Sequence, residues 1–185
     1  MDTIKLLERA AAEFRSRLEK VTDWTVDTPC TEWDARALSN HVVNEIMWIP
    51  PLVEGKTIAE VGPSLDGDLL GDDAVAAWDA ATERVLSILS QPGALERPVQ
   101  LSYGERDTAG YVTEVTADIT VHTWDLARAV GADERLDPVL VDLATGYLTP
   151  VIEGAREAGV FAAAVLVPDD ADPQTKLIAL TGRTP

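Results

Sequence analysis

Between Asp118 and Gly131 the chain reads D-I-T-V-H-T-W-D-L-A-R-A-V-G, and no other stretch constrains the fold as strongly. Val115, Ile119, Leu126 and Val130 recur at helical spacing and make an apolar stripe. Helical residues advance by about 100° each, so Asp118, His122, Asp125 and Ala129 fall within roughly 60° of one another beside that stripe. A carboxylate and an imidazole one turn apart reach the same point, which is the local geometry of a two-pronged metal clamp. Helices of small bundles usually turn their acids to water. This one carries two acids, and one of only two histidines in the chain, along the edge of its buried side.

The rest of the chain reads as helices separated by proline and glycine. A first helix is predicted from Thr3 to about Val21, with Ile4, Leu7, Ala11, Phe14 and Leu18 inward and Thr3 or Asp2 as cap. A connector containing Trp24, Pro29 and Trp33 follows, and its tryptophans are expected to lock it onto the bundle. Asp34 caps a second helix to about Ile49, where Pro50-Pro51 is expected to end it. Leu52 to Gly71 reads as a long, mostly irregular connection, a kind of segment that is often functional or mobile. Asp72 or Asp73 caps a third helix to about Ser90, with Val75, Trp78, Ala81, Val85, Ile88 and Leu89 inward. Leu95 to Gly110 reads as a loop with one short extended piece near Val99-Gln100-Leu101. The fourth helix spans about Tyr111 to Val130, with Gly131 as its stop. A fifth starts at Asp137-Pro138 and is kinked or split at Pro150, and a short closing helix follows Asp172-Pro173. The fold class is therefore all-α, a four-helix bundle with additional C-terminal helices, in one domain over 1–185.

Composition narrows the function. The formal charge of -17 argues against nucleic acid and anionic membranes as partners. No apolar run approaches the roughly 18 residues of a membrane span. Cys30 is the single cysteine, so no internal disulfide forms, and one thiol fits a reducing compartment. The opening residues lack a basic start followed by an apolar run, so a cytoplasmic protein without a secretory leader is expected.

Both histidines lie beside an apolar stripe with a carboxylate one turn away. His122 has Asp118 before it and Asp125 after it, and His41 has Glu45 after it. If the second and fourth helices pack side by side, His41, Asp118 and His122 converge. Two imidazoles and a carboxylate form a three-point site for zinc or a similar divalent ion with positions left open. The same spacing also fits structural histidines, and Asp125 also fits an ion pair with Arg128.

Residues 28–42, T-P-C-T-E-W-D-A-R-A-L-S-N-H-V, together with 121–131, V-H-T-W-D-L-A-R-A-V-G, resemble the DinB-like metal-binding superfamily. Within it they are most similar to the branch of the metal-binding domain of mycothiol-dependent maleylpyruvate isomerase. The closing D-P-Q-T-K-L-I-A-L-T-G-R-T-P is similar to the tail of this branch. The resemblance implies a four-helix bundle holding a divalent metal, zinc first, with nickel or another ion as alternatives. The matching ligands are His41, Asp118 and His122. The isomerase has glutamate where Asp118 stands, and Glu45 is the nearest substitute if the shorter side chain falls short. Asp125 matches an acid of the isomerase motif, which implies orienting a ligand or binding the thiol, and Arg128 is a further candidate at the site. The implied activity is a thiol-dependent transferase or isomerase: a metal-bound low-molecular-weight thiol such as mycothiol becomes a thiolate and attacks an electrophilic substrate. The resemblance gives Cys30 a non-catalytic setting. The alternative is a non-catalytic module that binds metal or a small ligand and acts through a protein partner. A homodimer using Leu52 to Gly71 as part of its contact is a further expectation.

Overall fold

The computed structural model describes residues 2–185. Among these there are eight α-helices and one two-stranded hairpin. Four long helices make the bundle: α1 (Thr3–Leu18), α2 (Ala35–Val53), α4 (Ala74–Leu89) and α5 (Thr108–Val130). Helix α1 packs on α4 and α5, and α2 packs on the same two, so the four close into a ring. Aspartates cap all four starts: Asp2, Asp34, Asp73 and Asp107 each accept a backbone N–H from the first turn. Leu7, Phe14, Leu38, Ile46, Trp78, Val85 and Ile119 fill the centre. The Trp78 indole N–H donates to the Ala11 carbonyl at 3.1 Å, so even the largest core side chain has its polar atom satisfied.

Helix α5 departs from the single-stripe expectation. It starts one turn earlier, behind Asp107, and from Thr116 to Ala127 all but Asp118 are buried. One side faces the bundle. The other, with Ala117, Val121 and Trp124, meets a second core built by α6 (Pro138–Leu148) and α8 (Pro173–Leu180). Burial all round is tolerated because Thr116, Thr120 and Thr123 donate their hydroxyls to the carbonyls of Val112, Thr116 and Ile119 at 2.7 Å. Gly131 ends the helix in the left-handed region, with φ at 66°.

Three other expectations need correction. The prolines do not end α2, which runs on to Val53 with both rings buried. A prolyl φ suits a helix and its carbonyl still accepts: the N–H groups of Glu54 and Lys56 donate to Pro50 and Pro51 at 3.0 Å. The following connection, Glu54 to Asp73, is as long as predicted but more ordered. It holds α3 (Ile58–Val61), started by a Thr57/Glu60 capping box, and a 3-10 turn over Gly62–Leu65. Asn40 and Asn44 strap it to α2 through the carbonyls of Gly67 and Leu65, at 3.0 and 2.8 Å. The piece near Val99 is one strand of a hairpin, β1 (Pro98–Leu101) pairing antiparallel with β2 (Gly104–Asp107). The fifth predicted helix is split at Pro150, as expected, into α6 and α7 (Ile152–Glu157). No helix of the described residues is long and apolar enough to cross a membrane.

Candidate metal centre

Helix α2 contributes His41 and α5 contributes Asp118 and His122, where the two helices pack. One donor atom from each lies within 4.8 Å of the other two. The Asp118 carboxylate sits between the rings: its Oδ2 is 3.4 Å from His41 Nε2, and its Oδ1 is 3.4 Å from His122 Nε2. Neither approach forms a hydrogen bond, and the buried Oδ2 has no hydrogen-bond partner among the described residues. A buried carboxylate oxygen without a partner is costly unless something cationic fills the gap. Donor atoms around a tetrahedral zinc at about 2.0–2.1 Å stand about 3.3 Å apart, close to the approach of each ring to its own nearer carboxylate oxygen. The donor set, the spacing and the orphaned oxygen all fit a divalent ion of the zinc kind. Glu45, one turn beyond His41, is not among the three, so Asp118, despite its short side chain, is the carboxylate that joins the two histidines in the cluster.

The surroundings hold the rings in place. His122 is 5% exposed, and its Nδ1 lies 2.9 Å from Oδ2 of the fully buried Asp125. An ionised carboxylate only accepts, so Nδ1 carries the proton and Nε2 faces Asp118. Arg183 forks onto Asp125, its Nε and a terminal nitrogen donating to the two carboxylate oxygens at 3.1 and 2.8 Å. Gly182 delivers it: its φ is 83°, and an added Cβ would stand 2.7 Å from Ala162. On the other side, the loop before α2 is fastened by Thr28, whose hydroxyl donates to the Trp33 carbonyl at 2.8 Å. That sets the Trp33 indole 4.4 Å from the His41 ring and 5.7 Å from the His122 ring, centroid to centroid. Trp33 therefore locks the loop by packing on the two imidazoles, a placement its sequence position did not reveal.

Electrostatics follow this geometry. Burial alone would lower the His122 imidazole, but Asp118 and Asp125 outweigh it and hold it up to about 9. Burial would raise Asp118, but the imidazoles of His122 and His41 keep it well below the usual carboxylate range. Asp125 is also held down, its burial outweighed by His122 and Arg183. Burial, and then the negative Asp118, push Glu45 up to about 7. Burial raises the Cys30 thiol, which makes it a poor nucleophile.

Arg128 is engaged elsewhere. It forks onto Glu134 at 3.0 and 2.7 Å, donates to the Thr184 carbonyl, and lies 4.2 Å over the Trp124 ring. A cleft of about 310 Å³ opens one turn along the α2–α5 groove, with Glu45, Tyr111 and Glu114 among its walls. A larger depression of about 560 Å³ between α1 and α4 shares no residue with the metal cluster or this cleft.

Two proteins of Mycobacterium tuberculosis, from strains CDC 1551 / Oshkosh and H37Rv and both named only as uncharacterized, are each 29% identical over 190 residues, covering 100% of this chain and 99% of their own. No solved structure matches. Residues 7–127, which carry α2, α4, most of α1 and α5 and all three donor residues, match the mycothiol maleylpyruvate isomerase N-terminal domain. The chain belongs to that family of DinB-like domains.

Proposed function

We propose that the protein is a thiol-dependent transferase or isomerase whose co-substrate is a low-molecular-weight thiol of the mycothiol kind. The observation that carries this reading is the Asp118 carboxylate, held between two imidazoles with a buried oxygen left unpaired. His41, Asp118 and His122 would hold a divalent ion, zinc first, and such an ion favours the thiolate form of a bound thiol at neutral pH. Asp125 fixes the tautomer and tilt of His122, and Arg183 offsets the charge of Asp125. Trp33 packs against both rings. Glu45, with its carboxyl near neutrality, is suited to take the proton the thiol gives up. The electrophile then approaches along the groove from the Glu45 side. A single cysteine and no internal disulfide suit the reducing cytoplasm in which such thiols work.

The test is a thiol-consumption assay with zinc-loaded protein, mycothiol and a panel of electrophiles. Turnover is expected to need both zinc and mycothiol, and to disappear in His122→Ala. Zinc retained without thiol-dependent turnover across the panel would instead make the domain a non-catalytic binding module.

A further inference from the structure

Helices α2 and α5 run antiparallel along one groove. His41, Glu45, Trp48 and Leu52 follow one another at helical spacing on α2, and His122, Asp118, Glu114 and Tyr111 answer them in reverse order on α5. The metal cluster occupies one end of this ladder, and the cleft of about 310 Å³ occupies the other. Glu45 and Glu114 each stand one turn, roughly 6 Å of rise, from a cluster residue. We propose that this cleft seats the second, electrophilic substrate, and that it takes a small uncharged molecule with an apolar body and rejects carboxylates. The role of the ligand rests on the function proposed above, whereas its binding does not.

The walls argue for this chemistry. Trp48, Leu52, Ile58 and Leu101 supply apolar surface. The volume is near the lower end for small-molecule pockets, about 300–1,000 Å³, which suits a single substituted ring. Glu114 is fully engaged: one oxygen accepts from Arg106 at 2.7 Å and the other from the Tyr103 hydroxyl at 2.6 Å. Arg106, the cation at this rim, also reaches the Tyr147 hydroxyl at 3.2 Å and so is not free for an incoming anion. The Trp48 indole N–H donates to Asn44 at 2.9 Å. Glu45 and the Tyr111 hydroxyl make no hydrogen bond among the described residues, which leaves one acceptor and one donor facing the cleft. An uncharged ligand with one polar group satisfies that pair. The charged residues of the lining, Glu45 and Glu114, are both acids, so a carboxylate seated in the cleft meets Glu45 as its nearest unpaired charge, with the ion of the metal centre a turn away, in a chain whose formal charge is -17.

The test follows the Trp48 indole N–H by NMR in zinc-supplemented and chelator-treated protein at pH 8, above the Glu45 carboxyl. Benzyl alcohol and benzoate are titrated as size-matched probes. Benzyl alcohol is expected to shift the signal saturably, with benzoate at least about tenfold weaker. Glu45→Gln should narrow that gap, and Ile58→Trp, at a half-buried cleft position, should abolish binding of both. Benzoate binding as tightly as benzyl alcohol, or benzyl alcohol binding retained in Ile58→Trp, overturns the proposal. Zinc content of the same samples is read separately. Zinc bound with no response to benzyl alcohol overturns the cleft and leaves the metal centre standing. A response to benzyl alcohol in zinc-supplemented protein that has bound no zinc supports the cleft and overturns the metal centre.

Discussion

Asp125 shows how much one buried side chain does here, because it answers to His122 on one side and Arg183 on the other. Asp125→Asn keeps the shape but leaves a buried guanidinium without its counter-charge. Breaking a buried pair this way costs about 3–5 kcal/mol, and loosening a metal-binding histidine costs about 10–100-fold in affinity. Chemical denaturation and zinc competition against a chromophoric chelator should show both losses together, and a variant with unchanged zinc affinity would contradict the positioning role. Protonation gives a second prediction. His122 is held up to about 9, above its ordinary 6.5. In chelator-treated protein its stabilising charge is fully present below about 6.5 and is lost as pH rises through about 9. Zinc needs the neutral ring, so its affinity should weaken about tenfold for each pH unit below 9, while Asp118 stays ionised. A flat profile between pH 7 and 9 would contradict this. The three clustered residues were legible in the sequence because histidine is rare in the chain and each has a carboxylate at helical spacing. Trp33 and Arg183 were not. Arg183 stands 58 residues from Asp125, and nothing in a C-terminal G-R-T-P announces where its arginine will fold back.

Helix α5 is the element on which the site depends, so its ends control stability more than chemistry. Asp107 caps its start, and Gly131 closes it at a φ of 66°. Asp107→Ala should cost about 1 kcal/mol, and Gly131→Ala about 1–2 kcal/mol, because a Cβ resists that backbone conformation. Urea titrations should show lower midpoints in both, with zinc affinity of the folded protein unchanged. A large loss of affinity in either would mean that the helix ends shape the cluster directly. Helix existence was readable from apolar spacing, since the stripes of α1, α2 and α4 face one core. The second strand of the hairpin was not. Its G-E-R-D is mostly exposed and carries no alternation, so pairing with β1 alone defines it. The second buried side of α5 was masked in a similar way, by threonines that look polar in sequence and satisfy their hydroxyls within the helix.

In the whole molecule, two cores share one helix. The four-helix ring surrounds the first, and α6 and α8 enclose the second against the far side of α5. This arrangement carries Arg183, outside the matched residues 7–127, to the buried carboxylate behind His122. The bundle was legible from four amphipathic segments, whereas the contribution of the C-terminal segment to the site emerges only once that segment has folded back. If two distant imidazoles and one carboxylate share a cation, elemental analysis of protein purified without chelator, beside His41→Ala and His122→Ala, should find close to one divalent ion per chain in the wild-type protein and its loss from both variants. No bound metal in the wild type, or full occupancy retained in either variant, would contradict the shared cation.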